Sequence, residues 1–458
     1  MKNISLLALI TLIGFVGCKS KEKPAITYNT TKVEAPFDMP EIKTPNFTNC
    51  DTLNIVDFGA VASDKNKTSL AIEKAITQAN ENGCGVVLIP KGEWLTKKLH
   101  FKSNINLHLS EGAVLLFSEN PEDYLPAVHT TWEGMECYNY SPLIYAYNCE
   151  NIAITGKGEL KAKMDVWKTW FSRPRPHMNS LKHLYNLSAK NPDVKARQMV
   201  NDSAHLRPQF IQFNRSKHIL LEDVKITNSP FWTIHPYLSK DIIIRNLNVY
   251  AHGHNNDGVD PEMSQNMLIE NCFFDQGDDA IAVKSGRNQD AWRLNTPTKN
   301  LVIKNSTVKN GHQLLAIGSE LSGGVENVYM DNCEVLDGAK LFHLVFIKTN
   351  ERRGGYVKNI FVKNITSGKI DKGILGIETD VLYQWRDLVP TYETRLTPIS
   401  NVYLENFNAG NVEFVSRILA QEALPAKTIS LKNIACDTIQ GEPYIHENVV
   451  DFTSTNTP

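Results

Sequence analysis

From Lys217 onward the chain repeats one short pattern: a polar start, apolar residues at the third and fifth positions, and an Asn or Asp to close. The copies run Lys217 to Asp223, Lys240 to Asn246, Gln265 to Asn271, Lys299 to Asn305, Glu326 to Asn332, Lys358 to Asn364, Ser400 to Asn406 and Lys427 to Asn433. Such alternation has the period of a strand, which turns the third and fifth side chains to one face and leaves the flanking positions outside. The closing Asn tolerates a left-handed backbone, and its amide can bond to identical turns above and below it. Successive copies begin 23, 25, 34, 27, 32, 42 and 27 residues apart. The shorter spacings fit one coil of a parallel β-helix, an all-β fold, and the longer ones a coil that carries a loop. A propeller would need four strands per blade and a leucine-rich repeat its own leucine consensus; neither fits.

Two stretches depart from the pattern. Ser69 to Ala79 places Leu70, Ile72, Ala75 and Ile76 on one helical face, just before the first clear strand run, Gly85 to Ile89. A helix there is expected to cap the open N-terminal end of the stack, where an apolar coil and strand edges would otherwise be bare. Residues 163–205 lack the pattern and are polar, with Trp167 and Trp170 near the start, and read as a large loop over one face.

The N-terminus predicts a targeting segment. An apolar run from Ile4 to Val16 follows Lys2, is too short to span a membrane as a mature helix, and ends at Gly17-Cys18 before the charged stretch from Lys19 to Lys23. Cys18 resembles the anchor cysteine of a bacterial lipoprotein, with Phe15 where Leu is usual. The expected organisation is a signal peptide over 1–18, a polar tether over 19–50 and a single β-helix domain over 51–458, held at the periplasmic or cell surface by a lipid anchor. The other seven cysteines form no CxxC pair, which argues against zinc. Cys149, Cys272 and Cys333 each follow an Asn and read as small buried hydrophobes of the repeat. A formal charge of −2, with no long basic run, offers nothing to a nucleic acid. A monomer is expected.

Candidate chemistry recurs at the turns: Asn255-Asn256-Asp257, Gly277-Asp278-Asp279, Gly311-His312 and Ile347-Lys348. Asp278 lies 13 residues after Gln265 and His312 lies 13 after Lys299, which sets both at one corner of adjacent coils about 4.8 Å apart. Asp257 lies 17 after Lys240, so equal counting does not bring it alongside, although a longer turn would. Adjacent carboxylates repel and raise a proton affinity, as a general acid requires. Gly277 would permit the bend that turns both to one face. Alone, an Asp-Asp pair is more often a solvated acidic turn or a calcium site; the ordered series outweighs that reading.

These residues resemble glycoside hydrolase family 28, the polygalacturonases and their relatives. The resemblance extends through Val56-Asp-Phe-Gly-Ala60, Gly85 to Pro90, Trp132-Glu-Gly134, Asn139-Tyr-Ser-Pro142, Asn228-Ser-Pro230, His235-Pro236, Ser285-Gly-Arg287 and Ile317-Gly-Ser-Glu320. It implies a right-handed β-helix and metal-free inverting hydrolysis, with no cofactor. Asp278 would protonate the glycosidic oxygen, Asp257 and Asp279 would activate water across the ring, and His312 would support the acid's protonation. Asn255 belongs to the same binding motif. The family's Arg-Ile-Lys here reads Phe346-Ile347-Lys348, so one of two carboxylate-binding cations is missing. Arg352 or Arg353 is a candidate replacement, Lys284 and Arg287 candidate additions, and Phe346 a candidate stacking surface for a neutral sugar. The implied substrate is α-linked galacturonic acid in pectin or its fragments, with exo-action favoured by the long insert. Rhamnogalacturonan hydrolysis, a Ca²⁺-using polysaccharide lyase and a non-catalytic carbohydrate-binding β-helix remain alternatives.

Overall fold

The computed structural model describes residues 24–201, 203–381 and 393–458. Within them the chain is the right-handed parallel β-helix with an N-terminal capping helix that the repeat and the resemblance imply. Each copy of the pattern pairs in register with the next: Lys217 with Lys240, Lys240 with Gln265, Gln265 with Lys299, and on through Glu326, Lys358 and Ser400 to Lys427. Third- and fifth-position residues such as Ile242, Ile244, Leu301 and Ile303 fill the interior. Each such burial contributes about 1.5–3 kcal/mol.

Both ends of the pattern are corners. The closing residues from Asp223 to Asn433 all have positive φ, between 52° and 67°, and most link side chain to side chain along the stack, as in Asn433 to Asn406 to Asn364. The second position turns the same way: Asp241, Asn266, Asn300, Asn327, Asn359 and Asn401 have φ of 57–60° and form another ladder. The fourth position, on the outer face, does not simply face solvent. In the early copies Leu220, Ile243, Leu268 and Val302 are buried on the outside of the coil under Val33, Ile42 and Phe47.

That contact corrects the expected tether. Strands Thr27–Thr31 and Ile42–Asn46 pair antiparallel and lie on the sheet, because its outer face offers apolar cover, and a Cys50–Cys84 disulfide fixes the arm to the first coil. The signal segment and Cys18 lie outside the described residues, among which no helix is long and apolar enough to cross a membrane. Cys149, Cys272 and Cys333 are free and buried.

Helix α1 (Lys65–Glu81) caps the first coil. Asp64 accepts from the amides of Asn66 and Lys67, and Ile72, Ala75, Ile76 and Ala79 face the core. Leu70, placed on that face by counting, is exposed instead. The stack also begins earlier than the pattern does, with strands Asp51–Asn54, Gly85–Ile89, Ile105–Leu109 and Glu150–Thr155 paired in sequence.

The region expected as a loop is helical. It carries α2 (Asp165–Thr169) and α3 (Arg175–Lys190), and α3 buries His177, Leu181, Leu184, Tyr185 and Ser188, a spacing that marks one helical face. That face packs with Trp132, Met135 and Cys137 of the antiparallel pair Val128–Trp132 and Met135–Asn139, and with Phe231 and Trp232 of the stack. Trp132 stacks on Phe231 with ring centroids 5.1 Å apart. A buried Arg197–Asp290 pair at 2.5 Å pins the insert to α4 (Asn288–Leu294).

Candidate active site

The site lies where regular pairing thins. On one face, strands Leu99–His100, Ile144–Tyr147, Ile211–Asn214 and Ile234–Tyr237 form one row, and strands from Ile281–Val283 to Tyr444–Glu447 form another. Single bridges through Val259 and Glu262 join the two rows. There the chain is free to turn its side chains outward, and Asp257 sits on that bridging segment.

Counting along the repeat anticipates the key neighbour pair. The His312 amide donates to the Asp278 carbonyl at 2.8 Å, and the His312 ring Nδ1 lies 3.0 Å from Asp278 Oδ1. Asp257 joins from the preceding coil through its neighbour, since the Gly258 amide donates to Asp279 O at 3.0 Å. The longer turn between Lys240 and Gln265 supplies that reach. Gly277 is needed for closeness rather than for a left-handed bend: a Cβ there would lie 2.6 Å from the Gly253 nitrogen.

A cavity of about 250 Å³ holds Asp257, Asp278, Asp279, His312, Asn255, Lys284, Arg287 and Lys348, all named from sequence. It also holds Glu133, Arg173, Trp232, His254, Ser319 and Glu320. Glu133, Ser319 and Glu320 sit within quoted motifs but carry no acid/base spacing. Arg173 lies in the insert, where no periodic signal points to it. Three candidates stand elsewhere. Arg353 is buried and donates to Ser319 O and Asn288 Oδ1, each at 2.7 Å, so it braces a wall. Arg352 is buried outside the lining, and Phe346 stacks on His343 with centroids 4.4 Å apart. Lys348 Nζ lies 5.8 Å from the Phe346 ring centre, so the position of the missing arginine holds an aromatic face beside the remaining ammonium. Asn256, where the family has Thr, donates to Ser229 O and Phe231 O at 2.9 and 3.0 Å and locks the turn.

The charges form two linked groups. Lys348 Nζ is 3.1 Å from Asp279 Oδ2. Lys284 Nζ stands 3.2 Å from Glu320 and 3.9 Å from Asp257, and Arg287 joins Glu320 to Glu133. Burial, and then the charge of Asp278, push the Asp257 carboxyl well above its usual range. Asp260 is fully buried with both carboxyl oxygens unpartnered among the described residues, and burial, then the charge of Asp257, push it well above its usual range. Burial works against the Asp278 carboxylate, but the His312 hydrogen bond and charge outweigh it and bring the group down to about 2. The same hydrogen bond raises His312. The proton of this pair therefore rests on the imidazole, one hydrogen bond from the carboxyl that would deliver it.

Asp278, Asp279 and His312 are also a group whose donor atoms, within 4.8 Å of one another, could hold a cation. The donor set fits poorly: a hard cation takes six or more oxygens, whereas this cluster is already compensated by an imidazole and an ammonium.

A groove across a parallel β-helix, holding clustered carboxylates, a paired histidine and lysines, defines the class of β-helical carbohydrate-active proteins. Within that class, residues 190–454 match the model of glycosyl hydrolases family 28, and the chain belongs to that family. Its fold is similar to that of an exopolygalacturonase from Thermotoga maritima, at TM-score 0.83 and 33% identity over 91% of this chain and 94% of that one. It is 29% identical over 324 residues to a probable polygalacturonase of Vitis vinifera, covering 68% of this chain and 60% of that protein. To an exo-poly-alpha-D-galacturonosidase of Dickeya chrysanthemi it is 27% identical, covering 61% and 49%. The chain thus spans about half to three fifths of the length of these two curated relatives.

Proposed function

We propose that this protein is a hydrolase that releases α-linked galacturonic acid from the ends of pectic oligosaccharides without a metal. The observation that carries the reading is the Asp278–His312 pair facing Asp257 and Asp279 in a cavity walled on one side by the insert. Asp278 gives the glycosidic oxygen its proton and His312 supplies that proton. Asp257 and Asp279 activate the attacking water across the ring. Lys284, between Asp257 and Glu320, keeps the base carboxylates from repelling one another out of place.

Exo-action is supported by the insert, which brings Arg173 to the cavity wall. It is also in keeping with the names of the Thermotoga and Dickeya relatives. Digestion of defined oligogalacturonides decides it: monomer alone from the first minutes fits, and a ladder of internal fragments defeats exo-action. The anomer formed first, read by proton NMR, tests inversion. An unsaturated product absorbing in the ultraviolet would replace the hydrolase reading with a lyase.

The loss of the family's arginine at Phe346 keeps a second reading, rhamnogalacturonan hydrolysis, open, because one of two carboxylate-binding cations is absent beside Lys348. Release of galacturonate from rhamnogalacturonan but not from homogalacturonan would establish it. We also propose lipid attachment at Cys18; Cys18→Ala should abolish labelling with a fatty-acid analogue and release the protein from membranes.

A further inference from the structure

The cavity lining mixes the acids Asp257, Asp278, Asp279, Glu133 and Glu320 with Arg173, His254, Lys284, Arg287 and Lys348. Arg173 stands at the turn into α3 with φ 45° and ψ 65°, a left-handed conformation rare for a residue with a side chain. Such backbones persist where the surroundings over-determine them, and here the result is a guanidinium on the cavity wall. Pro174 then starts the helix.

His254 shares that wall. Its Nε2 is buried and has no hydrogen-bond partner among the described residues. Burial, and then the charges of Arg173 and Arg207, bring the imidazole down to about 4, so it is neutral at physiological pH and able to donate one hydrogen bond from that nitrogen. Arg207, fully buried behind the wall, donates to the His254 and Pro230 carbonyls and to Asn255 Oδ1 at 2.6, 2.7 and 2.9 Å, fixing the turn. Arg173 and Arg207 thus act on a neutral imidazole with an open donor, while Arg287 in the same lining is tied to Glu133 and Glu320; Arg173 and His254 together suit an anion.

The other side of the acid differs. There the row Ala316, Phe346, Gly376 presents an aromatic ring held flat against His343, with Gly376 leaving the room: a Cβ on it would lie 2.7 Å from Phe346.

We propose that Arg173 and His254 form a carboxylate-binding subsite for the terminal uronate that is released, and that the sugar on the leaving side need carry no charge. The proposal rests on the reading of this site as a galacturonide hydrolase, and it moves charge recognition across the scissile bond from the position Phe346 now occupies. A bidentate guanidinium would hold the carboxylate plane and orient the ring against Asp278.

The test uses the full chain and two probes, galacturonic acid and its methyl ester, titrated calorimetrically. Wild type is expected to prefer the acid by about thirtyfold, the scale of a charged hydrogen-bonded pair. Arg173→Ala should remove that preference and Arg173→Lys should restore part of it; His254→Ala should reduce it. In parallel, digalacturonate esterified only on its reducing sugar should be cleaved within about threefold of the free acid, a spread below a single charged hydrogen bond. If wild type neither binds galacturonate nor cleaves any galacturonide, the functional reading fails. If wild type does so but either Arg173 variant, folded by circular dichroism, keeps the full preference, the subsite is wrong. Loss of cleavage on esterifying the leaving sugar also overturns it. Should Arg173→Ala fail to fold, Arg173→Lys and His254→Ala decide the matter.

Discussion

The repeated stack and the insert over 163–205 solve the same problem, polar groups next to a core, in opposite ways. In the stack most corner Asn side chains bond to the matching corner one coil away, so many similar links share the load. In the insert, Arg197 reaches one carboxylate, Asp290, which also accepts from the Glu136 amide and from Arg293. Redundancy makes the stack tolerant and regular; uniqueness makes the insert sensitive and specific. The active site takes its acids from the first and its closing wall from the second.

The strongest way to break this division of labour is Asp278→Asn. It keeps shape and the contact to His312 but removes the acid, so kcat should fall about a thousandfold while binding of a trigalacturonate, measured calorimetrically, changes little. Retained turnover would mean that the stack's corner does not hold the chemistry.

Next in size is the insert's anchor. Asp290→Ala leaves the Arg197 guanidinium buried beside Glu136 O without its carboxylate, and should cost about 3–5 kcal/mol in urea unfolding. Because the lost contact joins the insert to α4, chain-end selectivity should loosen in the same variant, with internal fragments appearing in digests. A stability change under about 1 kcal/mol would show the pair to be solvent-screened, against its burial.

A smaller effect is expected in pH dependence, where the stack's corner can be probed without loss of folding. His312 is raised above its ordinary 6.5 by Asp278, so the pair keeps its proton below that value and loses it as pH rises through the raised one. Asp278, brought down to about 2, keeps its charge until pH falls well below the ordinary carboxylate range. The pair's contribution to stability is thus full between roughly pH 4 and 6.5 and declines on both sides. The alkaline limb of kcat/KM should lie above pH 6.5, and His312→Ala should move it down by more than about one unit, because the lone carboxyl then holds the proton. An unmoved limb would assign the proton elsewhere, Asp257 being the next candidate.

The same contrast explains what the sequence made legible. The pattern carried the register of the eight copies, the closing Asn ladder and the pairing of Asp278 with His312, because each repeats a local rule at a fixed offset. The second ladder was also visible in Asn266, Asn300, Asn327, Asn359 and Asn401, but a strand read with period two conceals a corner at its second residue. The insert hid more. Its helix α3 has an apolar stripe through Leu181, Leu184 and Tyr185, yet polar surroundings masked it, and Arg173 owes its place to tertiary packing that no spacing encodes. Arg352 and Arg353 illustrate the reverse: they follow Lys348 closely in sequence, but the turn after the strand buries them outside the cavity lining, while Phe346, on the same strand face as Lys348, lies beside its ammonium and against His343 instead of on the wall.

The smallest expected effect separates backbone from ladder in the stack. Asn406 has φ 61°, donates to Asn364 and accepts from Asn433, both at 2.9 Å. Asn406→Ala forces a Cβ without a compensating amide into the left-handed region and should cost about 1–2 kcal/mol. Asn406→Gly loses the same two hydrogen bonds but relieves the backbone, and should cost less than about 1 kcal/mol, since both bonds are exposed to water. If the two variants unfold at the same denaturant concentration, the amide ladder and not the corner's conformation holds the coils in register. If glycine is the milder, the Asn at every corner is chosen chiefly for the turn it permits, and the ladder follows from stacking identical turns.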